Sequence, residues 1–167
     1  WIIPAERMKA RDAHIVYLSD QALDILTALR TCFGASRYLH PGRYDSDIPI
    51  SNATLNRIID SAVERIRQDE PDFQTFGVHD LRRTFSTSLN KAKLDERWIE
   101  LSLAHRPRNT IAATYNVAKY ATERRIMLQC WADMVDCWIN GNSARDVIAE
   151  AKRKAAEVLD LEVDEDL

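Results

Sequence analysis

The strongest constraint on the fold is a punctuation that recurs along the chain: a short side chain with an acceptor oxygen, then apolar residues at helical spacing. Ser19 precedes Ala22, Leu23, Ile25, Leu26 and Leu29, and Ser51 precedes Leu55, Ile58, Ile59, Val63 and Ile66. Asp95 precedes Trp98, Ile99, Leu101 and Leu103, and Thr122 precedes Ile126, Met127, Trp131, Met134, Val135 and Trp138. Such side chains accept from the free N–H groups of a first helical turn, and apolar residues three and four apart form one buried stripe. Helices are therefore predicted over 20–31, 52–68, 79–92, 95–103 and 110–117, from 122 to a stop at Asn140 and Gly141, and over 143–159. Gly34, Pro41, Gly42, Asp45 and Pro49 mark a loop over 35–50, Pro71 a loop over 69–77, and Pro107 a break. Residues 1–8 and 14–18 differ, carrying Ile and Val around a polar 9–13. They read as a β-hairpin with Lys9 near its tip. The expected class is mainly α (α+β), with a small N-terminal β-hairpin.

At 167 residues, with 46% hydrophobic and 29% charged residues, the chain can bury a core and is not expected to be disordered. Its apolar stretches are too short for a membrane span and no signal segment opens it, so no membrane partner and a cytoplasmic location are expected. Cys32, Cys130 and Cys137 have no ligand spacing, which points to reduced thiols and no metal. The net charge of −3 hides an asymmetry: residues 157–167 hold six acids and no base, and without them 23 bases face 20 acids. That balance adds little support for nucleic-acid binding. The chain opens on Trp1 directly in a strand, as a piece of a longer protein would.

Candidate chemistry centres on residues 77–84 (GVHDLRRT). His79 and Arg82, three apart, project from one face of a first helical turn, where helix N–H groups attract anions and a guanidinium can take two phosphate oxygens. A phosphate ligand is one reading. The other pairs Arg82 with Asp80 or Glu100 and leaves His79 as a cap. His105 follows in Leu103, Ala104, His105, and Tyr115 ten residues later.

This order and spacing, with Lys9 before it, resembles the catalytic domain of the tyrosine recombinase (phage integrase) family, and is most similar to prophage integrases. The motifs are WIIPAERMK (1–9), HDLRRT (79–84), LAH (103–105) and YATERR (120–125). The resemblance implies a site-specific DNA recombinase that cuts and rejoins double-stranded DNA at attachment sites through a 3′-phosphotyrosine, with no cofactor. Tyr115 would be the nucleophile, Arg82 and His79 would contact the scissile phosphate, His105 would donate to a non-bridging oxygen, and Lys9 would be the general acid. A homo-oligomer on DNA, a tetramer in synapsis, is implied too. The family has Pro where this chain has Tyr17, and close relatives generally have Gly where it has Asp80. The family's first arginine is expected before Trp1, so residues 1–142 read as a partial catalytic domain, inactive alone. Residues 143–167 read as a C-terminal helix and acidic tail. Val147, Ile148, Ala151, Ala155, Val158 and Leu159 form a stripe that must bury itself in cis or in trans; the resemblance favours a neighbouring protomer. A type IB topoisomerase shares this chemistry, and a catalytically inactive helical DNA-binding or protein-interaction module is the alternative from another class.

Overall fold

The computed structural model describes residues 1–105 and 120–165, with side chains as far as Leu161. Its helices are α1 (Asp20–Cys32), α2 (Asn52–Ile66), α3 (Val78–Lys91), α4 (Glu96–Ser102), α5 (Ala121–Ile139) and α6 (Arg145–Glu165). Strands β1 (Ile2–Ile3) and β2 (His14–Ile15) pair antiparallel, Ile2 opposite Ile15 and Ile3 opposite His14. The chain is thus mainly helical with a small N-terminal hairpin. Two compact units form, one from Trp1–Ala22 with Ser86–Leu167, the other from Leu23–Phe85. The helix predicted over 110–117 lies outside the described residues.

In the first unit the hairpin closes through Trp1, whose amine donates to the Val16 carbonyl at 3.0 Å and whose carbonyl accepts from Val16 N–H at 2.9 Å. A 3₁₀ turn over Ala5–Arg7 follows β1. The core gathers Leu89, Leu94, Trp98, Ile99 and Leu103 from the end of α3 and from α4. To these it adds Met127, Cys130 and Met134 of α5 and Ala144, Ala151 and Ala155 at the start of and along α6. Small residues on α6 let its backbone approach α5, close enough for the Cys130 thiol to donate to the Val147 carbonyl at 3.7 Å. Burial pushes that thiol up to about 11. The stripe of α6 is therefore buried in cis at Ala151 and Ala155, against α5 and beside Leu94 and Trp98, while Leu159 stays exposed. The helix also runs six residues past the predicted end, to Glu165. Leu and Glu are good helix formers, and Arg153 pairs on the preceding turns with Glu150 and Glu157.

Capping explains most of the boundaries. Ser19 Oγ accepts from Ala22 N–H at 3.3 Å, and Asp95 Oδ1 from Arg97 N–H at 2.8 Å. The α1 start has a second support from far along the chain. Gln129 Oε1 accepts from Asp20 N–H at 2.9 Å, and the Gln21 amide donates to Asp133 and Asp136 at 2.8 Å each. Gly141, at φ 69, closes α5: its N–H reaches the Trp138 carbonyl at 3.1 Å and Asn142 N–H reaches that of Cys137 at 2.7 Å. This is the paired C-terminal pattern for which a left-handed glycine is favoured. Thr122 does not cap α5 as predicted. The cap position is Tyr120, in the left-handed region at φ 63, held by Arg97, whose guanidinium donates to the phenol oxygen at 3.0 Å and lies 5.1 Å from the ring centre.

The same C-terminal pattern ends α3, but with Lys93 at φ 56 where glycine would be unstrained: Lys93 N–H reaches Asn90 and Leu94 N–H reaches Leu89. Relief of a left-handed β-carbon is worth about 1–2 kcal/mol, less about 0.4–1 kcal/mol for the freer unfolded glycine chain. Lys93→Gly is expected to stabilise the protein by about 0.5–1 kcal/mol, read as a higher urea midpoint at unchanged slope.

In the second unit, residues 35–50 form a loop that folds back on itself. Pro41 and Pro49 bridge, Gly42 N–H donates to Ile48 at 2.7 Å, and Ile50 N–H donates to His40 at 3.0 Å. A β-carbon on Gly42 would stand 2.9 Å from the Asp45 carbonyl oxygen, so the loop needs glycine there. Ser36 is buried, its hydroxyl on the Ser46 carbonyl at 2.7 Å. Ser51 occupies the α2 cap position, but its hydroxyl pairs with that of Thr54 at 3.2 Å instead of a backbone N–H. α2 ends at Ile66, with Arg67 as its cap, a turn-end short of the predicted 68. Val63 is its buried residue.

Candidate active site

The opening turn of α3 carries His79 and Arg82, both exposed. Gly77 precedes the helix and Asp80 is its third residue, a position from which a carboxylate can reach back to the cap N–H. It does so here: Gly77 N–H donates to Asp80 Oδ2 at 3.0 Å, and the Arg83 guanidinium donates to Oδ1 at 3.1 Å. The Gly77 bond, more than the neighbouring Arg83, holds the Asp80 carboxyl below the usual aspartate range. A depressed carboxyl supports folding above its unfolded pKa, and that support fades as pH falls through the lowered folded value. The Gly77 amide is therefore expected to keep its hydrogen-exchange protection at neutral pH and to lose it in acid. Asp80→Ala is expected to remove that protection at both. The Asp80 carboxylate pairs with Arg83 and the Glu100 carboxylate with His105.

Lys9 and His105 belong to the first unit, on separate elements. Lys9 is exposed in the turn between β1 and β2. His105 follows α4, whose end repeats the left-handed closing pattern with Ala104 at φ 54. Ala104 N–H donates to Leu101 at 3.1 Å and His105 N–H donates to Glu100 at 3.0 Å. The His105 ring is exposed, its Nδ1 at 2.6 Å from Glu100 Oε2. Tyr115 lies outside the described residues.

Sequence reasoning missed the residue that organises this unit. Arg124 is 3% exposed, and burial draws its guanidinium below the usual arginine range, with Tyr17 opposing. It donates to the Ile15 carbonyl at 2.8 Å and to Ser102 Oγ at 3.3 Å, and lies 5.0 Å from the Tyr17 ring centre. Arg125 lies 4.6 Å from the same ring. One side chain thus ties the strand after Lys9, the end of α4 before His105 and the start of α5. Tyr17, the departure from the family's proline, is the apolar platform for two guanidiniums. The pair Arg124–Arg125 was visible in the sequence, but the carbonyl it serves lies 109 positions away. Arg124→Ala removes a charged hydrogen bond, leaves the Ile15 carbonyl unpaired and opens a cavity, an expected loss of about 3 kcal/mol. Arg125→Ala, at an exposed position, is expected to cost well under half of that; urea denaturation of both variants checks the difference.

Among the described residues no helix is long and apolar enough to cross a membrane. The model of the phage integrase family matches residues 1–122. Prophage integrase IntZ of Escherichia coli (strain K12) is 39% identical over 142 residues, covering 84% of this chain and 33% of the relative. The integrase of Shigella phage Sf6 is 35% identical over 136 residues, covering 80% and 33%. The integrase of Enterobacteria phage P4 is 31% identical over 167 residues, covering 92% and 37%. The chain spans about a third of the length of these relatives. No solved structure gives a significant match. A family match over nearly three quarters of the chain, enclosing the hairpin, the start of α3 and the end of α4, shows that this chain belongs to the phage integrase family.

Proposed function

We propose that these residues are the catalytic part of a site-specific DNA recombinase. The observation that carries this reading is the family match over residues 1–122, which encloses Lys9, His79, Arg82, His105 and Tyr115. In the proposed reaction the Tyr115 phenol gives up its proton with the help of His79 as its oxygen attacks the scissile phosphorus in line, a 3′-phosphotyrosine forms, and the 5′-oxygen leaves with a proton from Lys9. Arg82 and His79 hold the non-bridging oxygens as negative charge builds on them, and His105 donates to one of the same oxygens. The ester keeps the bond energy for rejoining, so no nucleotide is consumed. The partner is double-stranded DNA at attachment sites, and the working assembly is a homo-oligomer on DNA, a tetramer in synapsis. Residues 1–142 supply part of the chemistry, completed by an arginine upstream, and 143–167 a helical appendage with its acidic end, and the enzyme acts in the cytoplasm.

Because the relatives are about three times longer, the test joins residues 1–167 to the upstream part of IntZ. The chimera is incubated with a nicked duplex pool of randomised sequence. The expected result is a DNA adduct that survives denaturation, with the phosphate mapped to Tyr115 by peptide mass. An adduct on another residue, or none under conditions where intact IntZ forms one, would overturn the reading.

A further inference from the structure

The contact between His105 and Glu100 carries an inference that rests on the proposed phosphate role of His105 and extends it. Backbone and side chain act together here. His105 N–H donates to the Glu100 carbonyl at 3.0 Å while His105 Nδ1 stands 2.6 Å from Glu100 Oε2. The left-handed Ala104, at φ 54, turns the chain so that both contacts form at once. A carboxylate offers only lone pairs, so the short contact is satisfied when Nδ1 carries the proton. A neutral imidazole then has Nε2 as its bare nitrogen, on the side of the ring away from Glu100. Phosphate oxygens also only accept. For His105 to donate to one, Nε2 has to gain a second proton, giving an imidazolium that bridges a carboxylate and a phosphate.

We propose that Glu100 is a positioning residue for His105: it holds the proton on Nδ1 and turns Nε2 outward, toward the place proposed for the phosphate. Glu100 itself touches neither phosphate nor nucleophile in this scheme. Both side chains are about half exposed, at 49% for His105 and 43% for Glu100, so the pair adds little to folding stability. Its effect belongs to the tautomer.

Long-range proton–nitrogen correlation of the His105 ring in the 167-residue chain reads this directly. At a pH where the ring is neutral, the expected signal is a protonated Nδ1 and a bare Nε2, the reverse of the tautomer favoured by free histidine. Glu100→Ala is expected to restore the Nε2–H form, and Glu100→Gln, which keeps an acceptor, to retain Nδ1–H. Urea midpoints should be the same for all three. A wild-type ring already in the Nε2–H form, or a Glu100→Ala ring unchanged from wild type, overturns the proposal.

Discussion

Tyr115→Phe in the chimera is expected to reduce covalent DNA adduct by at least about 10⁴-fold, to below detection, while leaving the dissociation constant for duplex DNA within about twofold of wild type. The argument is chemical. Removing the phenol oxygen deletes the atom that would bond to phosphorus, and nothing in a phenylalanine ring can replace it. The contacts assigned to Arg82, His79 and His105 are untouched, so the bound complex should form as before. Gel-shift titration and denaturing electrophoresis on the same samples separate the two quantities. A Tyr115→Phe chimera that still yields adduct would place the nucleophile elsewhere, and Tyr120 would be the first residue to map.

Arg82→Ala should behave differently, because its role is assigned to the phosphate. Loss of one preorganised donor to a transition-state oxygen typically costs about 10²–10³-fold in rate, and the adduct should accumulate that much more slowly without disappearing. Binding should weaken as well, with the salt dependence of the affinity falling by about one phosphate contact. Arg83→Ala is the matched control. Arg83 pairs with Asp80 across an exposed helix turn, so its loss is expected to change the rate by less than about tenfold. Equal losses for the two arginines would refute the assignment of the phosphate to Arg82.

What could be read from the sequence was mostly what is local. Ser19, Asp95 and Gly141 announce helix ends because each acts on backbone groups within five positions of itself, and a pattern within one helical turn is visible in one. The stripe of α6 was equally plain, though its partners were not: periodicity says that Ala151 and Ala155 must be covered and cannot say by what. The misreading at Thr122 has the same origin. A threonine two residues into a helix looks like a cap until Arg97, distant in sequence, is seen holding Tyr120. The bond from Gln129 to the first turn of α1 and the burial of Arg124 were illegible for that reason. Both are polar contacts between residues more than a hundred positions apart. At the candidate site, the order of His79, Arg82, His105 and Tyr115 was legible only through its resemblance to a family pattern. The short contact at Glu100 was present in the sequence only as an acid five residues before a histidine.

The enclosure of Arg124 has a consequence for handling the protein. Ions in solution screen exposed charges over about 10 Å at 0.1 M and far less effectively those shut away from water. The cation that anchors the strand after Lys9 is almost wholly enclosed, whereas any grip on a DNA backbone must be made by charges the solvent reaches. Raising the ionic strength should therefore weaken any such grip long before it loosens the hairpin. Strong brine should leave the ring of Tyr17 within reach of both arginines.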